Sequence, residues 1–112
     1  MIAKTCIIDK WYATQFAYFL QKLDQTKDVD GKSILDNSMI MYGCGNGDGN
    51  RHTHANLPII LAGGGGGSLN AGRYVKHSST PLTNLYLSMM DRMGGAESIE
   101  RFADSTGRLA NI

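Results

Sequence analysis

With 112 residues, the chain has room for one domain and a modest core. Its 42% hydrophobic and 19% charged content is that of a soluble globular protein, which excludes the disordered and fibrous classes. A formal net charge of +1 gives no electrostatic basis for binding nucleic acid or an anionic membrane.

From Ile8 to about Leu23, the apolar residues Ile8, Tyr12, Phe16, Phe19, Leu20 and Leu23 recur at helical spacing, which predicts a long amphipathic helix. No secretory h-region precedes it, because Asp9 and Lys10 follow the short Cys6-Ile7-Ile8 run, and no apolar run reaches membrane-spanning length. The polar run Asp24 to Lys32 ends the helix, with Asp30-Gly31 as a turn signal, and a short turn from Ser33 to Asn37 follows. Ser38 to Tyr42 is a continuous apolar run that stops at Gly43; it is too short for a helix and reads as a buried strand. Leu57 to Ala62 reads as a second strand, with Pro58 near its start, where a missing ladder donor costs least. Gly72 to Lys76 reads as a third, shorter strand.

Thr80-Pro81 then opens a second helix, with Thr80 suited to the N-cap and Pro81 to the first helical position. Leu82, Leu85, Tyr86, Met89 and Met93 form its apolar face, and Gly94 suits the position just past its end. The tail from Ala96 to Ile112 has room for one further turn of helix. The expected fold class is therefore α/β: short apolar strands flanked by two amphipathic helices. Apolar strands need cover on both faces, and two helices barely supply it. Residues 1–112 thus read as a single partial domain, one end of a larger α/β layer structure.

Of the fourteen glycines, nine cluster at Gly43–Gly49 and Gly63–Gly67 and mark loops. Two cysteines, Cys6 and Cys44, are too few for a disulfide framework; they read either as one bridge or as two free thiols. The second glycine cluster lacks the Lys-Ser/Thr of a Walker loop and reads as a connector.

Chemistry concentrates in the loop from Gly43 to Asn56. His52-Thr53-His54 sets two imidazoles two residues apart, a spacing that in extended backbone points both side chains to one face, as two ligands of one metal ion require. Asp48 adds a carboxylate from the same loop; Cys44 reads either as a thiolate ligand or, by preference, as a small residue lining a strand end. The candidate cofactor is a divalent metal ion held by Asp48, His52 and His54. The same residues also read as two exposed histidines and an Asp that stabilises a turn between Gly47 and Gly49. Asn46 to Asn50 begins like a calcium loop, but Arg51 and Leu57 stand where its glycine and its bidentate Glu belong. Arg73, Lys76 and His77 read as solvated basic residues that could meet an anion if they fold toward the loop.

Four segments carry a resemblance to a known family. They are Asp48-Gly49-Asn50-Arg51-His52-Thr53-His54-Ala55-Asn56-Leu57-Pro58, Leu61 to Gly66, Thr80 to Leu87, and Asp104 to Leu109. Together they resemble the C-terminal part of the HXXSHH-motif family of bacterial proteins (domain of unknown function 1552), with the similarity running from about Trp11 to the end. The HXXSHH motif itself is absent, since His77-Ser78-Ser79 does not supply it. The resemblance implies a longer parent protein, with its N-terminal part as this segment's partner, and an exported or periplasmic location.

A more distant likeness is to the alkaline phosphatase and sulfatase superfamily. There a helix leads to Asp-Asn-Thr, an apolar strand and Ser-Asp-His-Gly; a later His precedes a Pro-led strand, and Pro-Thr opens a helix ending in Gly. Here Asp36-Asn37-Ser38, the strand to Tyr42, His52 or His54, Pro58, and Thr80-Pro81 to Gly94 follow that order. Without gaps the Asp-His pair falls on Gly45 and Asn46, so Asp48 takes its place only if the loop bulges. The likeness implies a metal-dependent hydrolase of phosphate, sulfate or related ester substrates, with its nucleophile outside this chain. The alternative expectation is a non-catalytic binding or structural module of an exported protein.

Overall fold

The computed structural model describes residues 2–94 and 99–112. The architecture is mixed α and β. Helix α1 spans Ile2–Gln25, strand β1 spans Ile40–Gly43, strand β2 spans Ile59–Ala62, and helix α2 spans Leu82–Arg92, with a 3-10 turn at Gly65–Gly67 between β2 and α2.

Helix α1 reaches further toward the N-terminus than its apolar stripe alone required. Its C-terminal half is the part that packs: Phe16, Leu20 and Leu23 are half-buried, and the Phe16 ring stacks on Tyr42 of β1 at 4.7 Å between centroids. The turn before Phe16 carries Ile7, Ile8, Trp11 and Tyr12 in the open, with Trp11 57% exposed. The radius of gyration is 15.8 Å, against about 13 Å for a compact chain of this length.

After α1 the chain folds back through a polar turn. Asp28 N–H donates to the Lys32 carbonyl, Ile34 N–H donates to the Thr26 carbonyl, and Gly31 takes a left-handed φ of 85°. The Asn37 amide donates to both Asp28 and Asp30, at 2.9 and 3.0 Å. Ser33 and Asp36 then close a reciprocal pair: each backbone N–H donates to the other's side-chain oxygen at 3.0 Å. This is the arrangement of a capping box, and it fixes the turn over residues 34–37. The hydrogen bond from the Ser33 backbone amide, and after it the interaction with the Ser33 side chain, hold the Asp36 carboxyl below the usual carboxylate range.

Strands β1 and β2 pair antiparallel, with Ile40 opposite Ala62 and Gly43 opposite Ile59. Two strands leave a sheet face in water, so the strands expected to be buried are only half-buried, and Ile60 is 51% exposed. The expected third strand does not form: residues 72–76 pair with no strand. Arg73 is tied instead to the carbonyls of Asn70 and Asn111.

The glycine segment is a close-packed connector. Gly64, Gly65 and Gly66 donate their amides to the carbonyls of Leu35, Ser38 and Asp36. At Gly63, with φ of 104°, a Cβ would collide with the Ser38 carbonyl oxygen. Backbone lies directly on backbone there, which only glycine permits.

Helix α2 begins one residue later than its sequence signals place it. Pro81 is extended (φ −60°, ψ 140°) and forms the N-cap. Thr80 directs its hydroxyl back to the Ser78 carbonyl at 3.0 Å. Gly94 does sit past the end with a left-handed φ of 76°, donating to Asp91. The buried residues of α2 are Asn84, Leu85, Leu87 and Ser88, whereas Met93 is 77% exposed. The buried side is rotated toward the tail, which packs along α2 through Asn84–Thr106, Ser88–Leu109 and Asp91–Arg108. Ile112 ends buried, its carbonyl accepting from Asn70 N–H. No helix forms over residues 99–112, and the expected extra turn otherwise falls on 96–98, outside the described residues.

The candidate metal-binding loop

Because β1 and β2 are antiparallel, residues 44–58 form the connection of a wide hairpin at one end of the sheet. Inside that connection a smaller hairpin closes on itself. Asp48 and Thr53 form an isolated antiparallel bridge. Thr53 N–H donates to the Asp48 carbonyl at 3.3 Å, and Gly47 N–H to the Thr53 carbonyl at 2.8 Å. The Asp48 N–H donates to the Thr53 hydroxyl at 3.1 Å. Gly47 belongs at this neck because a side chain there would strike the Ala55 carbonyl.

Asp48 organises the turn. Its Oδ1 accepts from Asn50 N–H at 2.9 Å and from Arg51 N–H at 3.2 Å. These are the second and third residues after it, the donors that a helix N-cap satisfies. Its other oxygen lies 3.8 Å from Arg51 Nε, with both side chains exposed, an arrangement worth little in water. The turn ends at His52, whose φ of 53° is left-handed. The extended backbone expected across His52-Thr53-His54 is therefore absent at its first residue. The same-face argument for the two imidazoles loses its basis there.

His54 is held differently. Its Nδ1 lies 2.8 Å from the Gly45 carbonyl oxygen. A carbonyl can only accept, so Nδ1 carries the proton, and in the neutral ring Nε2 keeps the lone pair. Histidines that ligate metal ions commonly donate their second ring N–H to a carbonyl or carboxylate, which fixes tautomer and orientation. His54 fits that role. Sequence reasoning missed the Gly45 carbonyl because a backbone acceptor leaves no residue-type signature.

The sequence-proposed ligands therefore separate. Asp48, His52 and His54 are all exposed, and among the described residues no group of three or more His, Cys, Asp or Glu side chains is placed to hold a metal ion. His54 fits as a single directed donor, and Asp48 has one oxygen engaged by backbone amides. Cys44 is a free, exposed thiol, as is Cys6; the Cys44 sulfur accepts from Asn46 N–H at 3.4 Å. Arg73 turns to the tail and not to this loop. No described helix is long and apolar enough to cross a membrane. Comparisons of the chain with protein-family models, with curated proteins and with solved structures each give no match.

Proposed function

We propose that this chain is part of a larger alkaline-phosphatase-like layered domain of the HXXSHH kind, in which the 43–56 loop lends imidazole to a divalent metal ion used in ester hydrolysis. The observation that carries the reading is the His54 Nδ1 to Gly45 carbonyl contact at 2.8 Å, which leaves the lone pair of the neutral ring on Nε2 for a metal ion. His52, exposed in the same loop, is the other imidazole this reading draws on. A bound ion would polarise the ester and stabilise the negative charge that develops on it. The remaining ligands and the nucleophile belong to residues outside this chain, and the bare faces of α1 and the sheet are where those layers would pack. The test compares metal content and aryl phosphate and aryl sulfate hydrolysis in the intact protein and its His54→Ala variant. Metal content and turnover should both fall in the variant; equal metal content in the two would sink the assignment.

A second reading, a non-catalytic module, is favoured by one observation: the loop's only carboxylate accepts hydrogen bonds from its own turn. It predicts no metal uptake and no turnover in either form.

A further inference from the structure

Three features sit side by side in the 43–56 loop: a carboxylate bonded to two amides of its own turn, a hairpin closed between Asp48 and Thr53, and an imidazole immediately after that closure. Each depends on the one before it. The Asp48 Oδ1 satisfies the Asn50 and Arg51 amides, which holds the turn Gly49–His52 in place. That turn sets Asp48 opposite Thr53, with three further bonds across the neck. The closed neck brings residue 54 back beside residue 45, so that the His54 ring reaches the Gly45 carbonyl.

We propose that Asp48 is a positioning residue for His54 and not a metal ligand. This deepens the function proposed above and rests on it for the identity of the ligand, but not for the role of Asp48. A ligating carboxylate needs its charge at the ion, whereas a positioning oxygen needs only to accept from two backbone amides. Asparagine supplies the second and not the first, so the two roles separate cleanly by substitution.

The experiment uses the intact protein, Co2+ as probe, and the variants Asp48→Asn, Asp48→Ala and His54→Ala. Asp48→Asn should keep Co2+ affinity within about threefold, since the cap is retained. Asp48→Ala should weaken it by about tenfold or more, the usual effect of removing a group that orients a ligand. An Asp48→Asn variant that loses as much as His54→Ala makes the carboxylate a ligand and overturns the proposal. The second readout needs no metal: the ring 15N shifts of His54 report which nitrogen carries the proton. The Nδ1–H form should persist in Asp48→Asn and give way to a mixture in Asp48→Ala. A ring signature unchanged by Asp48→Ala overturns the positioning role whether or not Co2+ binds. Absence of Co2+ uptake by the wild type would count against the metal reading alone.

Discussion

The Ser88 hydroxyl grips the backbone of Leu109 from both sides: it accepts from Leu109 N–H at 2.7 Å and lies 3.0 Å from the Leu109 carbonyl. Ser88 is fully buried on α2, so its one small polar side chain joins the helix to a segment 21 residues later. Replacing it with alanine leaves the Leu109 amide facing an apolar methyl. Leu109 is half-buried, so the unsatisfied amide costs up to the about 1–3 kcal/mol of a fully buried one. Ser88→Ala should lower unfolding stability by that amount in a urea titration, with faster amide exchange over residues 104–112. A loss below about 0.5 kcal/mol, the range of a bland surface change, would show that the tail is held by its other contacts.

Next to Ser88, the Asp91 carboxylate accepts from Arg108 Nε at 2.6 Å and Nη2 at 3.1 Å. The Arg108 hydrogen bond, aided by the charges of Arg108 and Arg92 and opposed by desolvation, holds the Asp91 carboxyl below the usual carboxylate range. A carboxyl whose pKa is lower in the folded state stabilises the fold above its unfolded pKa, and that contribution is lost as pH falls through the folded pKa. Acid destabilisation should therefore begin near pH ~4, the unfolded carboxyl range, and deepen below it. Asp91→Asn should be less stable than wild type at neutral pH and should approach it as pH falls. Parallel curves across the acid range would remove the pair from the explanation; Asp36 and Asp30 would supply the slope that remains.

The helices and both strands were legible because their signals are local: a 3.6-residue stripe from Ile8 to Leu23, two apolar runs bounded by glycine, and Gly94 past a helix end. What was not legible depends on partners far along the chain. Asn84 and Ser88 break the apolar pattern of α2, yet they are buried because Thr106 and Leu109 need them. Met93 fits the stripe and is exposed. Residues 72–76 have strand-forming side chains, but Arg73 is bonded to the tail. In the loop, the turn-forming reading of Asp48 could be weighed from its flanking glycines, whereas the left-handed His52 could not, because H-x-H spacing carries no backbone angle.

His52 bears its own test. A left-handed residue other than glycine carries a cost of about 1–2 kcal/mol, partly offset because glycine adds about 0.4–1 kcal/mol of unfolded-state entropy. His52→Gly should therefore leave stability unchanged or raise it by up to about 1 kcal/mol. The His54 ring should keep its Nδ1 proton, since glycine adopts the left-handed conformation at position 52 readily and leaves the turn closed. A clear loss of stability would mean that the His52 side chain makes contacts that the turn needs.

Trp11 is the only tryptophan in the chain and stands on the uncovered arm of α1, in edge-to-face contact with Tyr12 at 5.1 Å. Its emission therefore reports that face and nothing else. In the free chain it should resemble indole in water and be quenched readily by iodide. Trp11→Lys should change unfolding stability by no more than about 0.5 kcal/mol, as for other exposed positions. The proposed layered domain makes the opposite prediction wherever the face is covered. There the emission should shift to the blue, iodide access should fall, and Trp11→Lys should cost about 3 kcal/mol or more, the range for truncating a buried aromatic. Water-like emission in the intact protein would mean that nothing packs on this face, and would count against the layered-domain part of the proposal.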